Sequence, residues 1–235
     1  DHPESTSVPD AVYQTGRSFA QEANYSEAIR WFERVLEQFP EHPVSRDALL
    51  QAANAYARVS KHHEGIRRYQ DFIAKYAADD RLDRAYLNII DILRDQDEET
   101  DALKWSAKMQ EVFRGKLGEA LGTFAEARIH LAKNDWPAAL AALDRLLTMP
   151  ELGGAAVPGG TTRAEVTFLR GYALEQERNF AAAIDTYLSI PDGRNEYYGG
   201  RATERLRDLA NNVAAKTAVG NKLPSLSIES KDREF

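Results

Sequence analysis

The stretch GRSFAQEANYSEAIRWFERVLEQFP, Gly16 to Pro40, decides how the rest of the chain is read. Two small residues, Gly16 and Ala28, stand twelve positions apart in it. Phe19 follows the first by three, Phe32 follows the second by four, and Pro40 closes the stretch. One amphipathic helix has no need of that arrangement, whereas two helices folded back on each other do. Where two antiparallel helices cross closely, a bulky side chain would hold the axes apart. Gly or Ala lets the backbones approach, and aromatic rings fill the space beside the crossing. Pro40 ends the second helix, because proline lacks an amide proton and disfavours helix in the residue before it. Pro150 and Pro191 do the same further on.

The pattern recurs along the chain. Ala53 and Gly65 take the two small places next, then Ile90 and Ala102, the first of them no longer small, then Ala127 and Ala139, then Gly171 and Ala183. The second small residue advances by 37 positions three times (28 to 65 to 102 to 139) and by 44 at the last step, 139 to 183. The excess falls on GGAAVPGG, Gly153 to Gly160, which reads as an inserted flexible loop. Four residues after the second small position come Phe32, Tyr69, Ser106, Leu143 and Tyr187. Three after the first come Phe19, Tyr56, Leu93, His130 and Leu174. Ser106 and His130 are polar and break the two apolar registers. The second helices open alike, as YSEAI, HHEGI, ETDAL, WPAAL and FAAAI.

This pattern resembles the tetratricopeptide repeat, whose usual period is about 34 residues. Gly16, Phe19, Ala28, Phe32 and Pro40 carry the resemblance in unit one, and Ala53, Tyr56 and Tyr69 in unit two. Ala102 carries it in unit three, Ala127, Ala139 and Leu143 in unit four, and Gly171, Ala183 and Tyr187 in unit five. The tryptophan typical of the first helix is replaced by Val12, Leu49, Tyr86, Thr123 and Thr167. The resemblance implies an all-α fold, an α-α superhelix of about five helix-turn-helix repeats with a C-terminal capping helix. The repeats are expected near residues 9–45, 46–82, 83–119, 120–156 and 164–194, and the capping helix at 195–218. Residues 1–8 and 219–235 are expected to be loose. The longer period predicts longer helices or longer turns between repeats.

Composition limits the function. The net charge of −7 disfavours a nucleic-acid binder, which carries a basic face. No cysteine is present, so disulfides, thiolate nucleophiles and zinc–cysteine sites fall away. No apolar run approaches the roughly 18–20 residues that span a bilayer. The chain begins at Asp1 rather than Met, which leads us to expect a removed segment upstream, a signal peptide or an artificial boundary. His62, His63 and Glu64 invite a metal reading, but adjacent helical residues point about 100° apart, so a solvated turn between two helices is expected. His130 is expected as a structural histidine. No nucleophile elbow, phosphate loop or dinucleotide fingerprint occurs, so no enzyme activity, cofactor or metal is expected.

The concave groove of a tetratricopeptide array is lined by the first helix of each unit. By register, the resemblance places Tyr13, Arg17, Asn54, Arg58, Asn88, Asp91, Arg94, Phe124, Arg128, Phe168 and Tyr172 there. Arginines, amides and aromatics combine contact area with directional hydrogen bonds, which suits a protein or peptide partner. The Lys/Asn clamp that some arrays use for chaperone termini is disfavoured, because Tyr13, Arg17, Asp47, Gln51 and Asn88 hold the matching places and Asp47 has the wrong sign.

Tyr197, Tyr198, Gly199, Ala202 and Leu206 are similar to the end of the α-superhelical part of soluble lytic murein transglycosylases. The catalytic Glu-Ser of that family is matched by Glu229-Ser230, with too little chain after it for a catalytic domain. The expectation is a non-catalytic scaffold of the bacterial cell envelope, periplasmic and peptidoglycan-related, binding proteins, peptides or peptidoglycan fragments. The alternatives are a general peptide-binding adaptor, cytoplasmic or periplasmic, and a periplasmic protein of outer-membrane assembly or division.

Overall fold

In the computed structural model, residues 8–193 and 196–222 are described. The expectations for residues 1–7, for the tail beyond Lys222 and for Glu229-Ser230 lie outside the described residues. The first ten helices of the described chain follow one another two by two, each two joined by a short turn. They are α1 (Val8–Gln21) with α2 (Tyr25–Gln38), α3 (Val44–Arg58) with α4 (His62–Lys75), α5 (Leu82–Asp95) with α6 (Glu99–Val112), α7 (Leu117–Ala132) with α8 (Trp136–Thr148), and α9 (Arg163–Gln176) with α10 (Phe180–Leu188). Helices α11 (Tyr197–Ala210) and α12 (Lys216–Lys222) follow. Two compact units divide the chain inside α6, residues 1–105 and 106–235.

The small-residue register explains each pair. Ala28, Ala102, Ala139 and Ala183 are fully buried, as are Ala53, Ile90 and Ala127. A Cβ on Gly16 would stand 2.7 Å from the Phe32 ring, and one on Gly171 would stand 2.6 Å from the Tyr187 ring. In these two pairs glycine makes room for the aromatic ring of the second helix, whereas in the second pair Ala53 stands at the equivalent place beside Tyr69. Phe32, Tyr69, Leu143 and Tyr187 occupy that aromatic or aliphatic position in a closed core. Ser106, which breaks the apolar pattern, is also fully buried at the equivalent place.

Each pair is joined by a three-residue turn of one kind. Ala23, Ser60, Asp97, Asn134 and Arg178 have φ near +60°. The next residue's amide donates back to the carbonyl five earlier: Asn24 to Phe19, Lys61 to Tyr56, Glu98 to Leu93, Asp135 to His130 and Asn179 to Leu174. This is the Schellman closure of a helix end. Asn24, Asp135 and Asn179 then cap the second helix by accepting from the amides of Glu27, Ala138 and Ala182. His130 is half-buried, its Nδ1 3.1 Å from Asp135 Oδ2 across the turn.

Several local expectations are corrected. His62, His63 and Glu64 do not form the turn; they open α4, because the turn closes one residue earlier at Lys61. The loop 153–160 has a pinned base: Thr161 donates to Leu152 O at 2.9 Å and Gly154 donates to Thr161 O at 3.0 Å. The expected capping helix is broken after Ala210, where Asn212 caps a short 3₁₀ turn, Val213–Ala215, and α12 carries helix past residue 218 to Lys222.

Polar contacts tie neighbouring pairs together within each unit. In the first, the buried carboxylate of Asp79 accepts from the backbone amide and the guanidinium of Arg81, whose Nη1 reaches Asp47 at 2.6 Å. Those bonds hold the Asp79 carboxyl down near a pKa of about 2. Arg68 on α4 pairs with Glu33 on α2 and with Asp71. In the second, Glu175 on α9 is buried, accepts from the Tyr187 hydroxyl at 3.1 Å and is paired with Arg205 on α11.

Candidate functional site

Helical spacing brings one set of polar residues together in the first unit. Arg17, Ala20 and Gln21 lie on one face of α1 at steps of three and four, and Gln51, Asn54, Ala55 and Arg58 lie on one face of α3 in the same way. With Tyr25 they line a cavity of about 460 Å³. Arg17, Asn54 and Arg58 of the expected groove residues meet here. No carboxylate is among the lining residues. Among the described residues neither arginine has a carboxylate partner, and Arg17 makes only a 3.4 Å contact to Gln14 Oε1.

Asn54 is held from below. The Tyr69 hydroxyl donates to Asn54 Oδ1 at 2.5 Å and accepts from Asn88 Nδ2 at 2.9 Å. Tyr69 is almost fully buried, and burial pushes its pKa up to about 12, so it stays a neutral donor. Asn88 therefore serves as a buttress across α3, α4 and α5 and does not line the cavity.

The other expected groove residues are placed differently. Tyr13 and Phe124 are buried in the core, Tyr13 against Phe32 with ring centroids 5.8 Å apart. The helix rotation turns both rings inward, away from the expected groove. Asp91 and Arg94 on α5 pair with each other at 3.1 Å. The Arg128 guanidinium lies 5.8 Å from the Phe124 ring centroid. Phe168 packs between Tyr187 and Tyr198, and Tyr172 stacks edge-on against Trp136. Sequence reasoning left Gln21, Tyr25 and Gln51 out of the groove, naming Gln51 only at a clamp position. Gln21 was discoverable, since it lies four residues after Arg17 on the same face.

The transglycosylase-like residues at α11 largely serve packing. A Cβ on Gly199 would meet Pro191 O at 2.1 Å, and Ala202 is buried. Tyr198 packs on Phe168, while Tyr197 is 70 % exposed. Among the described residues no group of three or more His, Cys, Asp or Glu side chains could hold a metal. Among them, too, no helix is long and apolar enough to cross a membrane.

Helix pairs closed by a small-residue crossing and a uniform short turn give the described chain a tetratricopeptide-like, all-α fold. Residues 124–196 match the family model described as a tetratricopeptide repeat. Residues 6–114 match a second model, YfiO, described as an outer membrane lipoprotein. No curated protein matches the sequence. Among solved structures, MamA is similar with a TM-score of 0.57 at 13% identity, over 89% of this chain and 97% of that one. The pilF protein of Pseudomonas aeruginosa is similar with a TM-score of 0.53 at 18% identity, over 93% of this chain and 91% of that one. The C-terminal part of a TPR repeat-containing protein from Cytophaga hutchinsonii gives 0.54 at 15% identity, over 92% and 80%. At these identities the likeness concerns the fold.

Proposed function

We propose that this chain is a non-catalytic scaffold of the bacterial cell envelope that holds a segment of a partner protein against α1 and α3. The observation that carries the reading is the convergence of Arg17, Gln21, Gln51, Asn54 and Arg58 on one open cavity. Arg17, Gln21, Asn54 and Arg58 are exposed, and arginine and amide groups combine contact area with directional hydrogen bonds to a partner. The similarity of residues 6–114 to an outer membrane lipoprotein family supports an envelope site, in the periplasm. A peptidoglycan ligand has less support, because Tyr198, Gly199 and Ala202 already have packing roles in the fold.

The test is site-specific photo-crosslinking in cells. A photoreactive residue at Gln51 is expected to crosslink to an envelope protein, and one at Arg30, exposed on α2, is expected not to. Equal crosslinking at both positions, or capture of glycan strands alone at Gln51, would refute the reading.

A further inference from the structure

A smaller cavity of about 220 Å³ lies wholly in the second unit, where the turn from α6 to α7 meets the segment that leaves α8. Hydrogen bonds hold both of its walls. Gly115, at φ 75°, closes the turn, and its amide donates to Glu119 Oε2 at 2.6 Å. In the segment after α8, the Arg163 guanidinium holds the carbonyl oxygens of Leu147 at 2.8 Å and Met149 at 2.6 Å. Leu117, Ala120, Met149 and Pro150 give the cavity its apolar lining. Glu119, Glu151 and Lys116 add charge to it, and among the described residues none of the three has an ion-pair partner. The inserted loop 153–160 begins two residues beyond Glu151, and insertions in repeat arrays often fall on the face that binds.

The volume is below the roughly 300–1,000 Å³ of sites that enclose small molecules, and it suits one apolar side chain. Interfaces concentrate their energy on a few anchor residues that fill pockets of this kind, and walls fixed before binding lower the ordering cost. Met149 lets the lining adapt, because the thioether chain is flexible. The charges decide what stands next to the anchor. Two carboxylates outnumber one ammonium in the lining, Lys116 is exposed to water, and the net charge of −7 attracts cations. We propose that this cavity docks an apolar side chain of a partner protein, with a lysine or arginine next to it in the partner's sequence paired with the Glu119 and Glu151 carboxylates. No residue of the α1–α3 cavity takes part.

Methionine-methyl NMR on the full chain tests this, because Met149 lines the cavity, while the chain's other methionine, Met109, is fully buried and does not line it. The probes are three short peptides blocked at both ends: phenylalanine followed by lysine, phenylalanine followed by glutamate, and glycine followed by lysine. The phenylalanine–lysine peptide is expected to move the Met149 methyl signal saturably, through the ring current of the bound phenylalanine, and to leave Met109 in place. The glutamate peptide should bind about fivefold more weakly, the size of an exposed ion pair, and the glycine–lysine peptide should shift neither signal. Glu151→Gln should narrow the fivefold gap to about twofold, and added salt should narrow it too. Leu117→Ala should weaken both phenylalanine peptides while keeping their ratio, because it removes apolar wall and no charge. An unshifted Met149 signal at millimolar phenylalanine–lysine peptide, equal affinity for the lysine and glutamate peptides, or equal binding of the glycine–lysine peptide would overturn the proposal. Crosslinking at Gln51 reads the other cavity, so either result stands without the other.

Discussion

Replacing Gly171 by alanine should destabilise the protein, although alanine is the better helix former. The position lies in the interior of α9, where Gly→Ala alone would gain about 1 kcal/mol. The new Cβ would stand 2.6, 2.8 and 3.1 Å from three carbons of the Tyr187 ring, where ordinary carbon contacts lie at about 3.5–4.0 Å. The ring has little room to retreat. Tyr187 is 1 % exposed, its hydroxyl is bonded to Glu175, and Phe168 lies 5.8 Å away centroid to centroid. Overpacking of this kind costs about 1–3 kcal/mol, which leaves a net loss of about 1 kcal/mol. Gly200 supplies the control: it lies in α11, is exposed, and its Cβ would meet nothing within 4 Å. There the same substitution should gain up to about 1 kcal/mol. Urea unfolding followed by circular dichroism should move the two midpoints in opposite directions, with a gap of about 2 kcal/mol between the variants. If Gly171→Ala stabilises as much as Gly200→Ala, the close helix crossing invoked for every repeat is wrong.

Three other outcomes are expected. Ser60→Gly and Arg178→Gly, at φ of 59° and 60°, should each raise the melting temperature, because glycine avoids the cost of a left-handed backbone, and the net gain is about 0.5–1 kcal/mol. Arg205→Ala should cost about 3–5 kcal/mol by leaving the buried Glu175 carboxylate unpaired, and adding Glu175→Gln should recover much of it in a thermal melt. Asp79 has its folded pKa depressed from 3.8 to about 2, so its contribution is present above pH 4 and is lost as pH falls from about 4 to 2. The loss is on the order of 1 kcal/mol, reduced by screening at the 29 % exposed Arg81, and acid titration of Asp79→Asn should lack that component.

Part of the turn chemistry was hidden from sequence reading. The five residues at positive φ advance along the chain at the same 37, 37, 37 and 44 steps as the small residues. They are Ala, Ser, Asp, Asn and Arg, and none is the glycine that signals such a turn. The tight antiparallel return imposes that backbone, and the packed helices on either side tolerate its cost. Ser106 misled for a related reason: a burial pattern read from hydrophobicity passes over a small polar residue that fills a core position.

The paired-helix repeat was legible from the amino-acid sequence by itself. Close crossings demand small residues at fixed separations, and that demand is met locally, within each pair. The cavity was decided only by tertiary structure. Successive residues on a helix point about 100° apart, so a small rotation about the axis determines which side chains reach a neighbour. That rotation buries Tyr13 and Phe124, turns Asn88 into a support, and leaves Arg17, Asn54 and Arg58 facing one shared space.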